Sequence, residues 1–108
     1  MLPRAQRLNL KKDFKWVAAG KKIETKYLKL FTRLGTNMYP RVGIANSSKT
    51  FNKSTDRNRA RRLASFVLES LYSTFPPSIN IVALPKAGIL SVKSAEVLRD
   101  LEGQLKKS

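Results

Sequence analysis

The stretch Asp56-Arg57-Asn58-Arg59-Ala60-Arg61-Arg62 opens an amphipathic helix around which the rest of the chain can be organised. Apolar residues recur from it at three- and four-residue steps, the spacing of one helical stripe: Ala60, Leu63, Ala64, Val67 and Leu71. Asn58, Arg61 and Arg62 are predicted to point away from this stripe, and Arg59 to lie at its flank. The arginines add positive charge where the helix dipole is already positive. This placement favours a bound polyanion, because backbone N–H groups and guanidinium groups both suit phosphate.

The whole sequence of 108 residues carries a large excess of positive charge. Its 22 lysines and arginines face seven acidic residues, which gives a formal net charge of +15. Residues 1–62 alone hold 17 of the basic residues and three of the acidic ones. Self-repulsion of this size destabilises a small fold unless a partner relieves it, and nucleic acid is the expected partner. An anionic membrane, the alternative, would require a long amphipathic helix with bulky apolar residues opposite its lysines, and none is evident.

Length and composition predict one RNA-binding domain over residues 1–108, with a short basic N-terminal tail over about residues 1–7. A hydrophobic content of 42% favours a folded chain. No apolar run approaches the ~20 residues needed to cross a bilayer. The first residues lack the apolar segment of a signal peptide. We therefore expect a cytoplasmic protein.

The residue types that usually carry out catalysis or hold metal are scarce. The chain has no histidine and no cysteine, so the commonest general base and all sulfur ligands are missing. The carboxylates are scattered, and Glu96 and Asp100, four residues apart, are expected on a solvated helix face. No Gly-rich phosphate loop occurs. The sequence predicts neither catalytic residues nor a metal site in the protein itself.

Hydrophobic periodicity predicts the order helix, two or three strands, helix, strand, helix. The predicted helices cover Leu10–Ala19, the stretch from Asp56 to about Phe75, and the residues after Ser94; the predicted strands cover Lys26–Leu34, Arg41–Ala45 and Ile79–Leu84. Gly20 is expected to stop the first helix, and residues 35–40 are expected to form a hairpin loop. Ser54 or Thr55 is the expected cap of the second helix, and Ser94 that of the third.

The predicted strand Lys26–Leu34 has an unusual alternation. One face is apolar and the other interleaves aromatic rings with cations: Leu28, Leu30, Thr32 and Leu34 against Tyr27, Lys29, Phe31 and Arg33. A sheet face of the second kind binds single-stranded RNA by stacking and by neutralising the backbone. The alternative is a solvated face with incidental aromatics. Gly43 is predicted to share the face of Phe31 and to leave room for a ligand.

Several short motifs follow one another in a fixed order. They are Arg7-Leu8 with Asp13-Phe14-Lys15, then Arg41-Val42-Gly43-Ile44 with Ser47-Ser48-Lys49, then Arg57-Asn58-Arg59 with Arg61-Arg62. From about Arg7 to Lys106 the chain thereby resembles the protein subunit of bacterial ribonuclease P. The resemblance implies an α/β (α+β) single-domain two-layer sandwich of order αβββαβα, similar to domain 2 of ribosomal protein S5. It also implies a short extra strand near Lys22–Glu24 and a left-handed βαβ crossover.

The resemblance further implies partners, and it assigns residues to them. The arginine helix and the loop before it would bind the catalytic RNA, through Lys49, Lys53, Arg57, Asn58, Arg59, Arg61 and Arg62. A cleft between the first helix and the sheet would hold the single-stranded 5′ leader of precursor tRNA, and Phe14 and Phe31 match the family's aromatic leader contacts by position. Sheet and helix geometry adds their neighbours Lys15 and Lys29, and we include Trp16 and Arg41 in the same predicted set. The RNA subunit with its Mg²⁺ would carry out the cleavage, and the protein would act as a monomer, one per RNA. The chain departs from the family pattern at Ala18, Ser48, Ser65 and Leu84.

Two other functional classes stay open at the level of sequence. A ribosomal or generic RNA-binding protein of similar fold would bind RNA without stimulating tRNA processing. A self-sufficient nuclease would hydrolyse RNA without an RNA subunit. An assay of 5′ cleavage with and without the RNA subunit separates all three.

Overall fold

The computed structural model describes residues 6–46 and 49–107, with nothing said of the side chain of residue 107. The described residues form three helices, α1 (Leu10–Ala18), α2 (Ser54–Leu71) and α3 (Ser94–Lys107), and four strands, β1 (Lys21–Glu24), β2 (Leu28–Leu34), β3 (Arg41–Ile44) and β4 (Ile79–Pro85). Short 3₁₀ segments follow α2 and β4. The order αβββαβα is the one that the family resemblance implies, including the short first strand. Predicted and observed ends of the elements differ by at most four residues.

The strands form one sheet in the order β1-β2-β4-β3. Strands β1, β2 and β4 pair antiparallel, whereas β3 is parallel to β4 and is connected to it through α2. The left hand of this crossover stays a prediction. Because β4 lies between β2 and β3, the predicted hairpin over residues 35–40 is wrong. That segment instead crosses the end of β4.

Side-chain hydrogen bonds hold the crossing segment in place. The Asn37 amide donates to the carbonyl oxygen of Ile79 at 3.2 Å and accepts from the Asn80 amide at 2.9 Å. The Tyr72 hydroxyl, after α2, donates to the carbonyl oxygen of Pro40 at 2.7 Å. Burial raises the pKa of this phenol above its usual range. These bonds tie the crossing segment to the start of β4 and to the end of α2.

The main core lies between the sheet and the pair α2–α3. It contains the buried side of β2 and β4, the stripe of α2 and one face of α3: Leu28, Leu30, Ile81, Ala83, Ala60, Ala64, Val67, Leu68, Leu71, Val97 and Leu101. The predicted stripe of α2 is therefore confirmed, with Leu68 added and Leu63 partly buried beside it. Helix α1 covers part of the opposite face of the sheet. There Val17 packs with Leu8 and Val82 in a second, smaller cluster.

The predicted caps of the second and third helices are wrong. Helix α2 begins at Ser54 itself, so Lys53 occupies the cap position and no side chain caps the helix there. Thr55 lies inside its first turn. Helix α3 likewise includes Ser94, and backbone amides of its first turn donate to the carbonyl oxygen of Lys93. In both cases the helix starts one residue earlier than the best capping side chain requires.

The predicted basic tail joins the sheet at its described end. Arg7 forms a parallel bridge with Val42 of β3, and the Leu8 amide donates to the Val42 carbonyl oxygen at 3.0 Å. The remainder of that tail, residues 1–5, lies outside the described residues. So do Ser47 and Ser48, which form part of one family motif and include one departure from the family pattern.

Two glycines matter for close approach. None of the described glycines has a positive φ, so Gly20 does not end α1 by a left-handed conformation. A Cβ at Gly20 would instead overlap the carbonyl oxygen of Thr32 and lie 2.9 Å from the Cβ of Arg33. A Cβ at Gly43 would lie 2.7 Å from the end of the Leu10 side chain. The space above Gly43 that was predicted to admit a ligand is therefore filled by α1.

A pair of Gly→Ala substitutions tests this account of packing. Gly20→Ala is expected to lower the free energy of unfolding by roughly 1–3 kcal/mol, because the new methyl group meets a backbone oxygen that cannot rotate away. Gly103→Ala, within α3, meets nothing within 4 Å and is expected to stabilise by about 0.5–1 kcal/mol. Urea denaturation measures both. Equal effects of the two substitutions would contradict the close approach at Gly20.

Candidate nucleic-acid interface

The exposed face of α2 carries a row of arginines, as predicted. Asn58, Arg59, Arg61 and Arg62 are all exposed. The Arg61 guanidinium donates from Nη2 to the Asn58 Oδ1 at 2.9 Å. This bond orients the fork of Arg61 and leaves its other N–H groups available to an anion. Lys49 and Lys53 are also exposed, in the segment before the helix.

Arg57 differs from the other arginines because it is turned toward the protein. Its side chain is half-buried, and Nη1 donates to the carbonyl oxygens of Phe51 at 2.9 Å and Asn52 at 3.2 Å. Phe51 is only 2% exposed and belongs to the main core. The Asn46 amide donates to the Arg57 carbonyl oxygen at 2.9 Å. Arg57 therefore fixes the loop before α2, a role that its place in the predicted RNA-binding set does not anticipate.

Two alanine substitutions distinguish these roles. Arg57→Ala is expected to lower the free energy of unfolding by about 1 kcal/mol, because the partly buried Phe51 carbonyl oxygen and the exposed Asn52 carbonyl oxygen lose a charged donor. Arg59→Ala removes an exposed cation that lies beyond the first turn of α2, so stability is expected to change by less than about 0.5 kcal/mol. Urea denaturation at low ionic strength measures both changes. A loss of stability at Arg59 as large as that at Arg57 would contradict the assignment.

A groove on the opposite face of the sheet runs beside α1. Strand pairing places Phe31 level with Val82, under the helix, and Lys29 level with the half-buried Leu84, two residues further along β4. The groove has a cavity of about 340 Å³, lined by Glu24, Lys29, Ala45, Thr50, Leu84, Pro85, Lys86 and Ala87. Its floor is apolar and its rim is charged. Leu84, a departure from the family pattern, contributes to the apolar floor.

One predicted leader-binding residue lines this cavity, and two others pack against the neighbouring cluster under α1. Phe14 of α1 and Phe31 of β2 are both half-buried and pack against the small cluster under the helix. Lys29 lines the cavity. Lys15 is exposed on the outer side of α1. Phe31 and Lys29 lie two residues apart on β2 and so share one face of the sheet, as the alternation predicts; their role in leader binding stays a prediction.

The other two predicted leader residues lie at a different level of the sheet. The Trp16 ring has the Arg33 guanidinium 4.7 Å from its centroid, and Arg33 donates to the Trp16 carbonyl oxygen at 3.1 Å. Arg41 and Arg33 are both paired with Asn80, two residues along β4 from the level of Phe31. The level of Phe31 lies between that of Lys29 and that of Arg33, and α1 covers it. We therefore infer that Trp16 and Arg41 lie on the side of α1 away from Lys29.

An ion pair at the rim of the groove is a feature that sequence reasoning missed. The Lys86 Nζ donates to the Glu24 Oε2 at 2.6 Å and to the Thr25 carbonyl oxygen at 2.7 Å, and Lys22 lies 3.4 Å from the same carboxylate. The bond from Lys86 holds the pKa of Glu24 below its usual range. The partners lie 62 residues apart, so only the tertiary fold brings them together.

One predicted member of the aromatic face does not join it. Tyr27 precedes β2 rather than lying within it, and its ring packs against the main core. Its carbonyl oxygen accepts from the Lys86 amide at 2.9 Å. The predicted strand began two residues too early, which assigned Tyr27 to the wrong environment.

Two general properties of the described residues bear on function. Within residues 6–46 and 49–107, no helix is long and apolar enough to span a bilayer. The same part of the chain brings together no group of three acidic, histidine or cysteine residues that could hold a metal ion.

The fold and its charged surfaces define a small, basic α+β domain whose crossover helix carries exposed arginines. Comparison with known families gives this class a name. The family model described as Ribonuclease P matches residues 2–108. The chain belongs to this family and is thus a protein subunit of ribonuclease P, which acts in tRNA processing.

Relatives and solved structures agree with this assignment. The ribonuclease P protein component of Chromohalobacter salexigens is 35% identical over 97% of this chain and 83% of its own length. That of Legionella pneumophila strain Lens is 38% identical over 80% and 74% of the two chains. The RNase P protein of Thermotoga maritima, solved with 1-(4-fluorophenyl)-2-thiourea, superposes with a TM-score of 0.81 at 26% identity, covering 94% and 99% of the two chains. A Staphylococcus aureus RNase P protein shares the fold at 19% identity.

Proposed function

We propose that this chain promotes 5′ maturation of tRNA by binding two RNA segments at once. The exposed arginines of α2 bind the catalytic RNA of ribonuclease P, and the groove beside α1 binds the single-stranded 5′ leader of precursor tRNA. The observation that carries this proposal is the placement of the two surfaces. They lie on helices that pack against opposite faces of one sheet, so neither RNA segment blocks the other.

The α2 surface suits the phosphate backbone of a folded RNA. Arg59 and Arg62 are exposed, and Arg61 is already oriented by Asn58. Guanidinium forks bind phosphate through two parallel hydrogen bonds, and the nearby helix N-terminus attracts negative charge. Each phosphate contact releases counterions, so binding here should weaken as salt is raised. Exposed Lys49 and Lys53 extend the positive surface toward the preceding loop.

The α1 groove suits an unpaired strand. Stacking on Phe14 and Phe31 requires bases that are not already stacked in a duplex, and Lys29 lies where it can neutralise a phosphate. Pairing with Lys86 and Lys22 neutralises Glu24, the one carboxylate lining this groove. We include Lys15, Trp16 and Arg41 as outlying contacts to the same strand, above or beyond α1.

Chemistry in this proposal belongs to the RNA. The described side chains do not fit a Mg²⁺ site, because they bring no group of acidic residues together. The catalytic RNA would hold the Mg²⁺ ions, which activate water for phosphodiester hydrolysis. This chain contributes neutralisation of phosphates and positioning of the substrate, as one monomer per RNA in the cytoplasm.

The dependence on RNA can be tested directly. The purified protein is expected to leave precursor tRNA intact in Mg²⁺ and to support 5′ cleavage once a bacterial ribonuclease P RNA is added. Cleavage products resolved on a denaturing gel measure this. Metal-dependent cleavage by protein free of RNA would make the chain a nuclease and overturn the proposal. RNA binding without any stimulation of cleavage would favour a generic RNA-binding protein.

Substitutions at the two surfaces are expected to separate two kinds of binding. Arg59→Ala or Arg62→Ala should weaken assembly with the catalytic RNA and reduce its salt dependence. Phe31→Ala should spare assembly and weaken binding of a precursor with a leader about tenfold, because a stacking contact is worth ~1–3 kcal/mol. Filter binding of precursor and mature tRNA to each holoenzyme measures both effects.

Mature tRNA is the control for the Phe31 substitution. Phe31 also packs under α1, so any general loss of structure would affect both substrates equally. A leader contact instead affects the precursor alone. Equal binding of precursor and mature tRNA by the unmodified holoenzyme would remove the basis of the leader groove.

A further inference from the structure

Helix α2 exposes one large apolar side chain, Phe66, beside its arginines. Its side chain is 51% exposed, whereas the apolar stripe of the same helix is buried. Phe66 lies four residues after Arg62 and seven after Arg59, so the three side chains share one side of the helix. Side chains four residues apart have Cβ atoms about 5–6 Å apart. The ring therefore continues the arginine row by one helical turn.

The charge along this face changes sign at Phe66. Arginines precede the ring, and Glu69 follows it by three residues, half-buried and accepting from the Ser65 hydroxyl at 3.4 Å. A phosphate chain that follows the arginines is attracted as far as Arg62 and repelled beyond Phe66. Phosphate is therefore less favoured over Phe66 than over the arginines. What lies over the ring is then a group other than phosphate.

We propose that Phe66 stacks on an unpaired nucleobase of the RNA bound by the α2 arginines. This inference rests on the proposed function of the same helix face. It names the part of the RNA that contacts the end of the arginine row on α2. A base in a duplex is already stacked, so the nucleotide in question must be a bulge, a loop or a strand end. Among the described residues, the guanidinium of Arg33 on Trp16 is the stacked cation–ring pair, and the Phe66 ring is not part of it.

Other occupants of this face fit less well. A second copy of the chain would bring two arginine rows together, and like charges oppose that contact. A single exposed apolar side chain can also have no function at all, since such residues are common on protein surfaces. Phe66 differs from other exposed apolar side chains in its position, because its ring lies one helical turn from the arginines proposed to bind phosphate. If a protein partner covered Phe66 instead, that partner would bind this chain in the absence of RNA.

A tryptophan placed at residue 66 reports stacking directly. The chain has one tryptophan, so Phe66→Trp on a Trp16→Phe background leaves residue 66 as the sole indole. Its emission is expected to be quenched when the catalytic RNA binds in the absence of precursor tRNA. Inorganic polyphosphate, which has charge but no bases, should bind and leave the emission nearly unchanged. Unchanged emission with RNA under conditions where binding is complete would overturn the proposal.

Affinity gives a second and independent measurement. Phe66→Ala is expected to weaken binding of the catalytic RNA about tenfold, while the salt dependence of binding stays as in the unmodified protein. Phe66→Tyr keeps the ring and should retain affinity; Phe66→Leu removes the ring and should not. Met38→Ala, at an 80% exposed side chain on the crossing segment, is the matched control and should have no effect.

The results of these experiments distinguish failure of the stacking contact from failure of the proposed RNA-binding function of α2. If Arg62→Ala leaves RNA affinity unchanged, the RNA-binding role of α2 fails. If Arg62→Ala weakens binding but Phe66→Ala does not, only the stacking contact fails. Full affinity of Phe66→Leu would show a general apolar contact and would equally overturn stacking.

Discussion

The burial of strand β4 on both faces is the constraint on which the rest of the molecule depends. Ile81 and Ala83 lie under α2 and α3, and Val82, between them, lies under α1. A strand covered on both sides must be largely apolar, and the run from Ile79 to Leu84 meets that requirement except at Asn80. Asn80 is buried, and its amide donates to the Arg33 carbonyl oxygen and to the Asn37 side chain. Because side chains alternate along a strand, β4 meets α1 on one face of the sheet and α2 and α3 on the other. The separation of the two proposed RNA surfaces follows from this one strand.

Local periodicity predicts much of this fold, and its failures have physical causes. The stripe of α2 and the apolar side of α3 follow from helical spacing, and both are confirmed. The hairpin over residues 35–40 is wrong because adjacency in sequence says nothing about a strand that arrives 40 residues later and inserts between the two. The family resemblance, not periodicity, predicts β1. A four-residue edge strand with a single buried position, Ile23, offers too little pattern to detect.

The candidate site was predictable in outline but not in its internal structure. Charge and alternation pointed to α2 and to the pair Phe31 and Lys29. They could not show that Arg57 turns inward to the Phe51 carbonyl oxygen, since the four arginines at the start of α2 look alike in sequence until one of them is seen to have an acceptor in the protein. Nor could they show that Leu10 fills the space above Gly43. Both facts depend on contacts between elements that are distant or differently oriented, which residue types alone do not encode.

The inward bond of Arg57 has a consequence for the thermodynamics of RNA binding. The loop before α2 is anchored by Phe51 in the core and by this guanidinium, so its conformational entropy is lost when the protein folds. In the proposed complex the RNA would meet a preformed surface of charged side chains and would bury little apolar area beyond the ring of Phe66. Association of this kind has a small change in heat capacity, in contrast to the large negative change of a segment that folds as it binds. Arg57 thus holds the start of α2 in place, and the proposed RNA-binding surface of Arg59, Arg61 and Arg62 is already formed in the free protein.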